Sequence, residues 1–245
     1  MKLIKFLARC ELDARRKCEQ IIKDGCITVN NVCCLNPFQE IDTDTDSVKY
    51  NGKILSLSKF KKKLYVLFFK PKRCITSVSD DKGRTTVMDY MKKIRGWANL
   101  YPIGRLDYDT EGLLLLTNDG DYAQTIQHPS NRILKIYQAK VEGIPDKDDL
   151  EKLKKNIKID GKTVRCVSVK ILKKLKSNSW IEIGIYSGQN RIIRKLCDII
   201  NHSVIKLTRI AIGGFSLFDM KLAPGQYLIL NEREKDIVFN EKKKQ

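Results

Sequence analysis

Apolar and polar positions along this 245-residue chain fall into two rhythms, a helical one and a strand one. "DARRKCEQIIKDG" (13–25) puts Ala14, Cys18, Ile21 and Ile22 on one helical face, with Asp13 as N-cap and Gly25 as the C-terminal stop. "CITVNNVCC" predicts a hairpin turning at Asn30-Asn31, and "DSVKYNGKIL" a second short strand pair. "SKFKKKL" then interrupts the pattern, so a linker is expected over residues 58–63. Beyond it "LYVLFFKP" reads as a buried strand ended by Pro71, "TTVMDYMKKI" as a helix, and "GLLLLTNDG" as a strand closing in turn residues. "DYAQTIQHP" predicts a short helix with Tyr122 and Ile126 inward, "KIYQAKVEG" a strand, and "DKDDLEKLKKNI" a surface helix. "WIEIGIYSG" alternates as a strand, and "NRIIRKLCDII" spaces Ile192, Ile193, Leu196 and Ile199 as a helix. Many strands with interspersed helices and short connections predict an α+β fold on a mixed, largely antiparallel sheet.

Composition narrows the partner. The hydrophobic fraction of 42% is enough to build a core, and the longest apolar run is far short of the ~20 residues that span a bilayer. The N-terminus shows no signal-peptide cleavage pattern, so a cytoplasmic protein with no membrane partner is expected. Forty-seven Lys and Arg against twenty-nine Asp and Glu give a net charge of +18, which favours an anionic polymer as partner. The eight cysteines form no CxxC pair. Cys10, Cys18, Cys26 and Cys34 recur every eight residues, but Cys18 falls on the apolar helical face and Cys26 and Cys34 at strand positions. Reduced thiols, not a metal site, are expected.

The segment "GRLDYDTEGLLLLTNDG" (104–120) sets Asp107, Asp109 and Glu111 directly before the most apolar run of the chain. Carboxylates beside a core strand are costly unless they are solvated, paired or useful. Gly104 and Gly112 bracket the loop, and Asp107 lies mid-loop at a strand end, a rigid place for a nucleophile or general base. A solvated acidic turn is the plainer alternative. A metal site of Asp107, Asp109 and Glu111 is a third, weakened because neighbouring side chains of an extended loop point apart.

This segment resembles the signature of the RsuA-type ribosomal-RNA pseudouridine synthases. Further blocks resemble the same family in the same order: "FKPKRCITSVSDDKGRTTVMDYM", "LKIYQA" and "SGQNRIIRKLCDIINHSVIKLTRIAIGGFSL". Residues 1–57 resemble an S4 RNA-binding domain through "KFLA", "RRKCEQIIKDG" and "ITVN". The resemblance implies four parts: an S4 domain over 1–57, the linker at 58–63, a catalytic domain over 64–240 and a basic tail at 241–245. It implies an isomerase that breaks the C1′–N1 bond of a uridine and rejoins the base through C5. That change needs neither redox chemistry nor energy input, so no cofactor is expected. The matching positions imply Asp107 as nucleophile, acting at the sugar with glycal formation as the favoured path. Tyr137 would stack on the flipped base and take part in proton removal at C5, and Arg194 would be the cation beside Asp107. Arg191 would contact phosphate, and Arg105 phosphate or the displaced base. Lys70 and Arg84 of the first motif, with Arg15, Arg16 and Lys23 of the S4-like helix, are further RNA-contact candidates.

Four positions depart from the family pattern: Arg73, Asn31 and a site near His202 stand where glycine is usual, and Ile192 where glutamine is. "TEGLLLLTNDG" followed by "HPS" resembles the large-subunit members, which implies a stem-loop of 23S rRNA, or an assembly intermediate holding it, as partner of a monomeric enzyme. The competing readings are small-subunit (16S) rRNA as substrate, a non-catalytic ribosome assembly factor on the same fold, and a metal-dependent nuclease.

Overall fold

The computed structural model describes residues 1–10, 12–13, 15–57 and 62–240. The expected tail at 241–245 and residues 58–61 of the expected linker lie outside the described residues. Two compact units divide between Lys62 and Lys63.

In the first unit, α1 (Leu3–Arg9) buries Leu3, Ile4, Phe6 and Leu7, a helical spacing that was not among the expected elements. α2 (Arg15–Lys23) buries Cys18 and Ile22 on the expected face. Because this helix starts at Arg15, its N-cap position is 14, outside the described residues; Asp13 pairs with Lys17 at 3.5 Å. Gly25 adopts the left-handed φ of +73° that a helix stop requires. β1 (Ile27–Val29) and β2 (Val32–Cys33) form the expected hairpin, and β3 (Val48–Tyr50) pairs with β1 and with β4 (Lys53–Ile54). Asn30 and Asn31 both have positive φ, the conformation a two-residue hairpin turn demands. Cys26 and Cys34 flank this hairpin instead of lying within its strands.

In the second unit β5 (Tyr65–Lys70) is buried at every position. The segment expected as a helix after it is a 3₁₀ turn at Val87–Tyr90 followed by further turns. The amides of Met91, Ile94, Trp97 and Leu100 each bond the carbonyl three residues back. The apolar residues Met88, Met91, Ile94, Trp97 and Leu100 repeat every third position, the period of a 3₁₀ or turn chain and not of an α-helix.

β6 (Tyr101–Ile103) and β7 (Glu111–Thr117) enclose the acidic loop. α3 (Gly120–Gln127) follows, with Tyr122 and Ile126 inward and Asp119 capping the amides of Asp121 and Tyr122. β8 (Lys135–Glu142), α4 (Lys147–Lys154), β9 (Ile157–Ile159), β10 (Lys162–Val164), β11 (Ser168–Lys174) and β12 (Asn178–Ile185) come next in the chain. α5 (Ile192–Ile199), β13 (Val204–Ile212), β14 (Phe215–Ser216), α6 (Leu217–Met220) and β15 (Tyr227–Leu230) complete it. The main sheet has the order β11-β12-β8-β13-β7-β5-β15, with β14 on β13 and β6 on β7. Its β13–β7 pair is parallel and its other pairs are antiparallel, so the sheet is mixed and largely antiparallel as expected.

The four leucines of β7 divide between two cores. Leu114 and Leu116 join Phe68, Ala139, Ile183 and Leu196 on one face, and Leu113 and Leu115 join Leu67, Tyr122 and Phe215 on the other. Alternation in a strand covered on both sides reads as a continuous apolar run. Among the described residues no helix is long and apolar enough to cross a membrane.

The parallel pair has one tight point. Gly112 stands opposite Arg209 at φ +125°, and a Cβ there would lie 2.2 Å from the Arg209 carbonyl oxygen. Gly112→Ala is therefore expected to destabilise the protein by ~3 kcal/mol, from backbone strain and forced separation of β7 and β13. Denaturant unfolding of the variant checks this, and an unchanged midpoint would contradict it.

Candidate active site

The loop 105–110 runs from β6 to β7 and is pinned at alternate residues. At Leu106, the Thr76 hydroxyl donates to the carbonyl at 2.8 Å and accepts from the amide at 3.3 Å. At Tyr108 the carbonyl accepts from the Arg73 amide at 2.8 Å. At Thr110 the carbonyl accepts from the Lys70 ammonium at 2.8 Å, and that ammonium also donates to Pro71 at 2.9 Å. The Thr110 amide closes the turn on the Asp107 carbonyl at 3.0 Å. The loop backbone is thus held rigidly while the Asp107 carboxylate remains 28% exposed.

Asp107, Arg105, Thr110, Tyr137 and Arg191 line one cleft, open to solvent. Tyr137 is placed by β8, where its neighbours across the ladder are Ile183 of β12 and Arg209 of β13. It is buried but for 7% of its surface. Its hydroxyl accepts a long contact of 3.5 Å from Nη1 of Arg209, whose Nε donates to Leu113 at 2.7 Å. Arg209 was not among the expected site residues; the one signal for it is a cation set among the apolar residues of its strand's second half, "TRIAIGG".

Three expected roles change. The cation at Asp107 is Arg191, with Nη1 3.9 Å from Oδ2, and not Arg194. Arg191 occupies the N-cap of α5 in the left-handed conformation, φ +52°, at the lip of the cleft. Arg194 lies one turn further on, and its Nη1 donates to the Val204 carbonyl at 3.0 Å. Lys70 is fully buried and cannot reach RNA, because its strand is covered on both faces and its ammonium points beneath the loop. Arg84 remains exposed, but Nε and Nη2 grip Asp80 at 3.1 and 2.6 Å, so two of its five donors are already committed.

Arg105 is exposed at the cleft. Among the described residues Arg105 forms no ion pair with Asp109 or Glu111; Glu111 instead pairs with Lys206 at 2.7 Å and accepts from Thr208 at 3.0 Å, stitching β7 to β13. Arg15, Arg16 and Lys23 are exposed on α2 of the other unit, with Lys23 paired to Glu19 at 2.7 Å. The departures from the family pattern also find places. Arg73 and Asn31, where glycine is usual, have φ of +56° and +68°. His202 lies with Nδ1 2.6 Å from the Glu142 carbonyl oxygen and Nε2 3.2 Å from Asp149. Ile192 is buried on α5, where an apolar side chain is at home.

Comparison with known proteins shows the family. Residues 64–198 match the family model described as RNA pseudouridylate synthase. The chain belongs to that family. It is 41% identical over 210 residues to the ribosomal large subunit pseudouridine synthase B of Bacillus subtilis (strain 168), covering 85% of this chain and 84% of that protein. It is 34% identical to an uncharacterized RNA pseudouridine synthase of Rickettsia felis, over 95% and 97% of the two chains. A solved pseudouridylate synthase shares the fold at a TM-score of 0.66 and 22% identity, covering 97% of this chain and 99% of that one. The chain is accordingly an RsuA-type pseudouridine synthase, an RNA-modifying isomerase.

Two outcomes follow from the loop anchors. Burial pushes the Lys70 ammonium down to about 8 from an ordinary 10.5, partly offset by the charges of Asp107, Asp109 and Glu111. Between those values the unfolded chain binds more protons at this position than the folded one, so folded stability rises with pH across that window, by up to ~3 kcal/mol. Below pH 8 the cost of burying the charge is fully present. Lys70→Met should lose this pH-dependent part, which paired unfolding titrations of the two proteins would read. Arg73→Gly should relieve left-handed strain and stabilise by ~1 kcal/mol; a thermal midpoint below wild type would contradict that.

Proposed function

We propose that this enzyme isomerises one uridine of large-subunit (23S) ribosomal RNA, in a stem-loop, within the cleft around Asp107. The observation that carries the reading is a partly exposed carboxylate on a loop anchored at three points, sharing one cleft with the buried ring of Tyr137. Asp107 attacks the target sugar at C1′. The C1′–N1 bond breaks with its electron pair going to N1, the freed base turns, and C5 bonds to C1′ as the sugar–Asp107 linkage is released. The C5 proton is then lost to solvent, a step in which Tyr137, stacked on the flipped base, takes part. A base inside a stack cannot react, and a flat aromatic wall compensates part of the cost of unstacking it.

Arg191 serves Asp107 loosely. A pair at 3.9 Å with its partners 53% and 28% exposed is worth under ~1 kcal/mol. The guanidinium is therefore free to exchange to a phosphate of the incoming strand, as Arg105 on the same lip is. The ribosomal, large-subunit substrate is supported by the name of the Bacillus subtilis relative and by the similar "TEGLLLLTNDG" and "HPS" segments. The first unit acts as an S4-type RNA grip, supported by exposed Arg15 and Arg16 on α2 and by the excess of positive charge. Shape and backbone contacts carry most of the recognition, because the A-form major groove is too narrow for side chains.

Asp107→Asn is expected to abolish turnover and leave RNA affinity within about twofold, since the amide keeps the shape but is no nucleophile. Turnover within about tenfold of wild type would remove Asp107 from the mechanism. Arg15→Ala combined with Arg16→Ala should reduce the log–log salt slope of binding by about 1.4, roughly 0.7 for each lost phosphate contact on a single strand. The substrate assignment is tested by mapping pseudouridines of both ribosomal RNAs in cells with and without the gene. Loss of a site in large-subunit rRNA is expected, and loss confined to the small subunit would overturn it.

A further inference from the structure

Among the described residues four buried side-chain polar atoms have no hydrogen-bond partner: Thr110 Oγ1, Asn178 Oδ1, Arg194 Nε and Arg209 Nη2. Of these residues only Thr110 lines the cleft that holds Asp107 and Tyr137. It is 1% exposed. Its backbone is held by the amide on the Asp107 carbonyl and the carbonyl on the Lys70 ammonium, which leaves χ1 to choose among its rotamers, so the hydroxyl, shut from solvent here, meets a partner in the cleft by a turn of the side chain. Buried hydroxyls almost always find a partner, and valine would fill the same volume without leaving a polar atom unpaired. An unpaired hydroxyl retained in this position points to a partner that arrives with the substrate.

We infer that the Thr110 hydroxyl hydrogen-bonds the 2′-hydroxyl of the target nucleotide. The inference rests on the reading that Asp107 acts at C1′. Thr110 closes the same turn as Asp107, so the substrate atoms nearest to it are those of the sugar. Tyr137, which lines the same cleft, meets the base. C2′ is bonded directly to C1′, and its hydroxyl both donates and accepts, as the threonine hydroxyl does. The bond fixes the sugar against the nucleophile and makes the cleft selective for ribose, because the 2′-hydroxyl is the group that separates RNA from DNA at such a site. Removing it leaves the threonine hydroxyl buried and unpaired in the complex as well.

The test compares wild type, Thr110→Val, Thr110→Ser and Asp107→Asn. Total RNA is first treated to find the uridine that wild type modifies. Synthetic stem-loops are then made with uridine or 2′-deoxyuridine at that position, and single-turnover rates are measured. Thr110→Val should unfold at the wild-type temperature or above it, yet lose about tenfold or more in rate on the ribose substrate. Thr110→Ser should restore most of that rate. The deoxy substrate should slow wild type by a comparable factor but slow Thr110→Val by no more than about twofold further, since the two changes remove one bond. A Thr110→Val variant with full activity, losses that multiply, or a midpoint lowered by several degrees would each overturn the inference, the last by revealing an internal partner. A target outside ribosomal RNA would defeat the substrate assignment and leave this measurement intact. An active Asp107→Asn variant would defeat the reading at C1′ separately.

Discussion

A buried ammonium holds up the active-site loop. Lys70 ends a strand covered on both faces, where its charge has no water to solvate it, and two backbone carbonyls take that place. One of them belongs to Thr110, the last residue of the loop carrying Asp107. The arrangement exchanges a desolvation cost for position: a lysine confined this way has one place to put its donors, and the loop has one conformation that receives them. Thr76 and the Arg73 amide repeat the grip at Leu106 and Tyr108. With the even-numbered residues of the loop committed to structure, Asp107 is left to face the cleft.

Electrostatics in the cleft is asymmetric. The cations at the lip, Arg105 and Arg191, are exposed and weakly committed, which suits groups that meet phosphate and then release it. The cation below, Arg209, is buried against Tyr137 and the Leu113 carbonyl and stays with the protein. One set stays open to solvent and the other is tied into the sheet.

How far the chain disclosed this can be judged residue by residue. Asp107 was legible because a carboxylate before four leucines has few structural reasons to exist, and the long signature around it resembles a known family. Tyr137 was legible only through that resemblance, since an aromatic in a strand is ordinarily core. Lys70 was misjudged as an RNA contact: its strand was read as buried, but the Thr110 carbonyl that holds its ammonium inside comes from 40 residues away, which local sequence does not carry. The exchange between Arg191 and Arg194 has a similar origin. Three positions apart, both fit a basic helix start, and the left-handed turn at Arg191 that swings it toward Asp107 is set by tertiary context. "TTVMDYMKKI" (85–94) was read as a helix although the period of three that starts there at Met88 and runs on to Leu100 was visible in the sequence. Arg209 and the hydroxyl of Thr110 needed coordinates, because what distinguishes them is an incomplete set of partners.

The approach of Gly112 to Arg209 also bears on how the site comes into being. The strands that meet there stand far apart in the chain; the nearby bond from Arg209 to Leu113 spans 96 residues. Loop closure of that length is opposed by chain entropy until the partner strand is present. On a ribosome, β7 and the acidic loop emerge long before β13, and Glu111 has neither Lys206 nor Thr208 to meet. The floor beneath Tyr137 lacks Arg209 for the same interval. The nascent chain can therefore hold every residue of the acidic loop and still have no assembled cleft, which waits until β13 has been made.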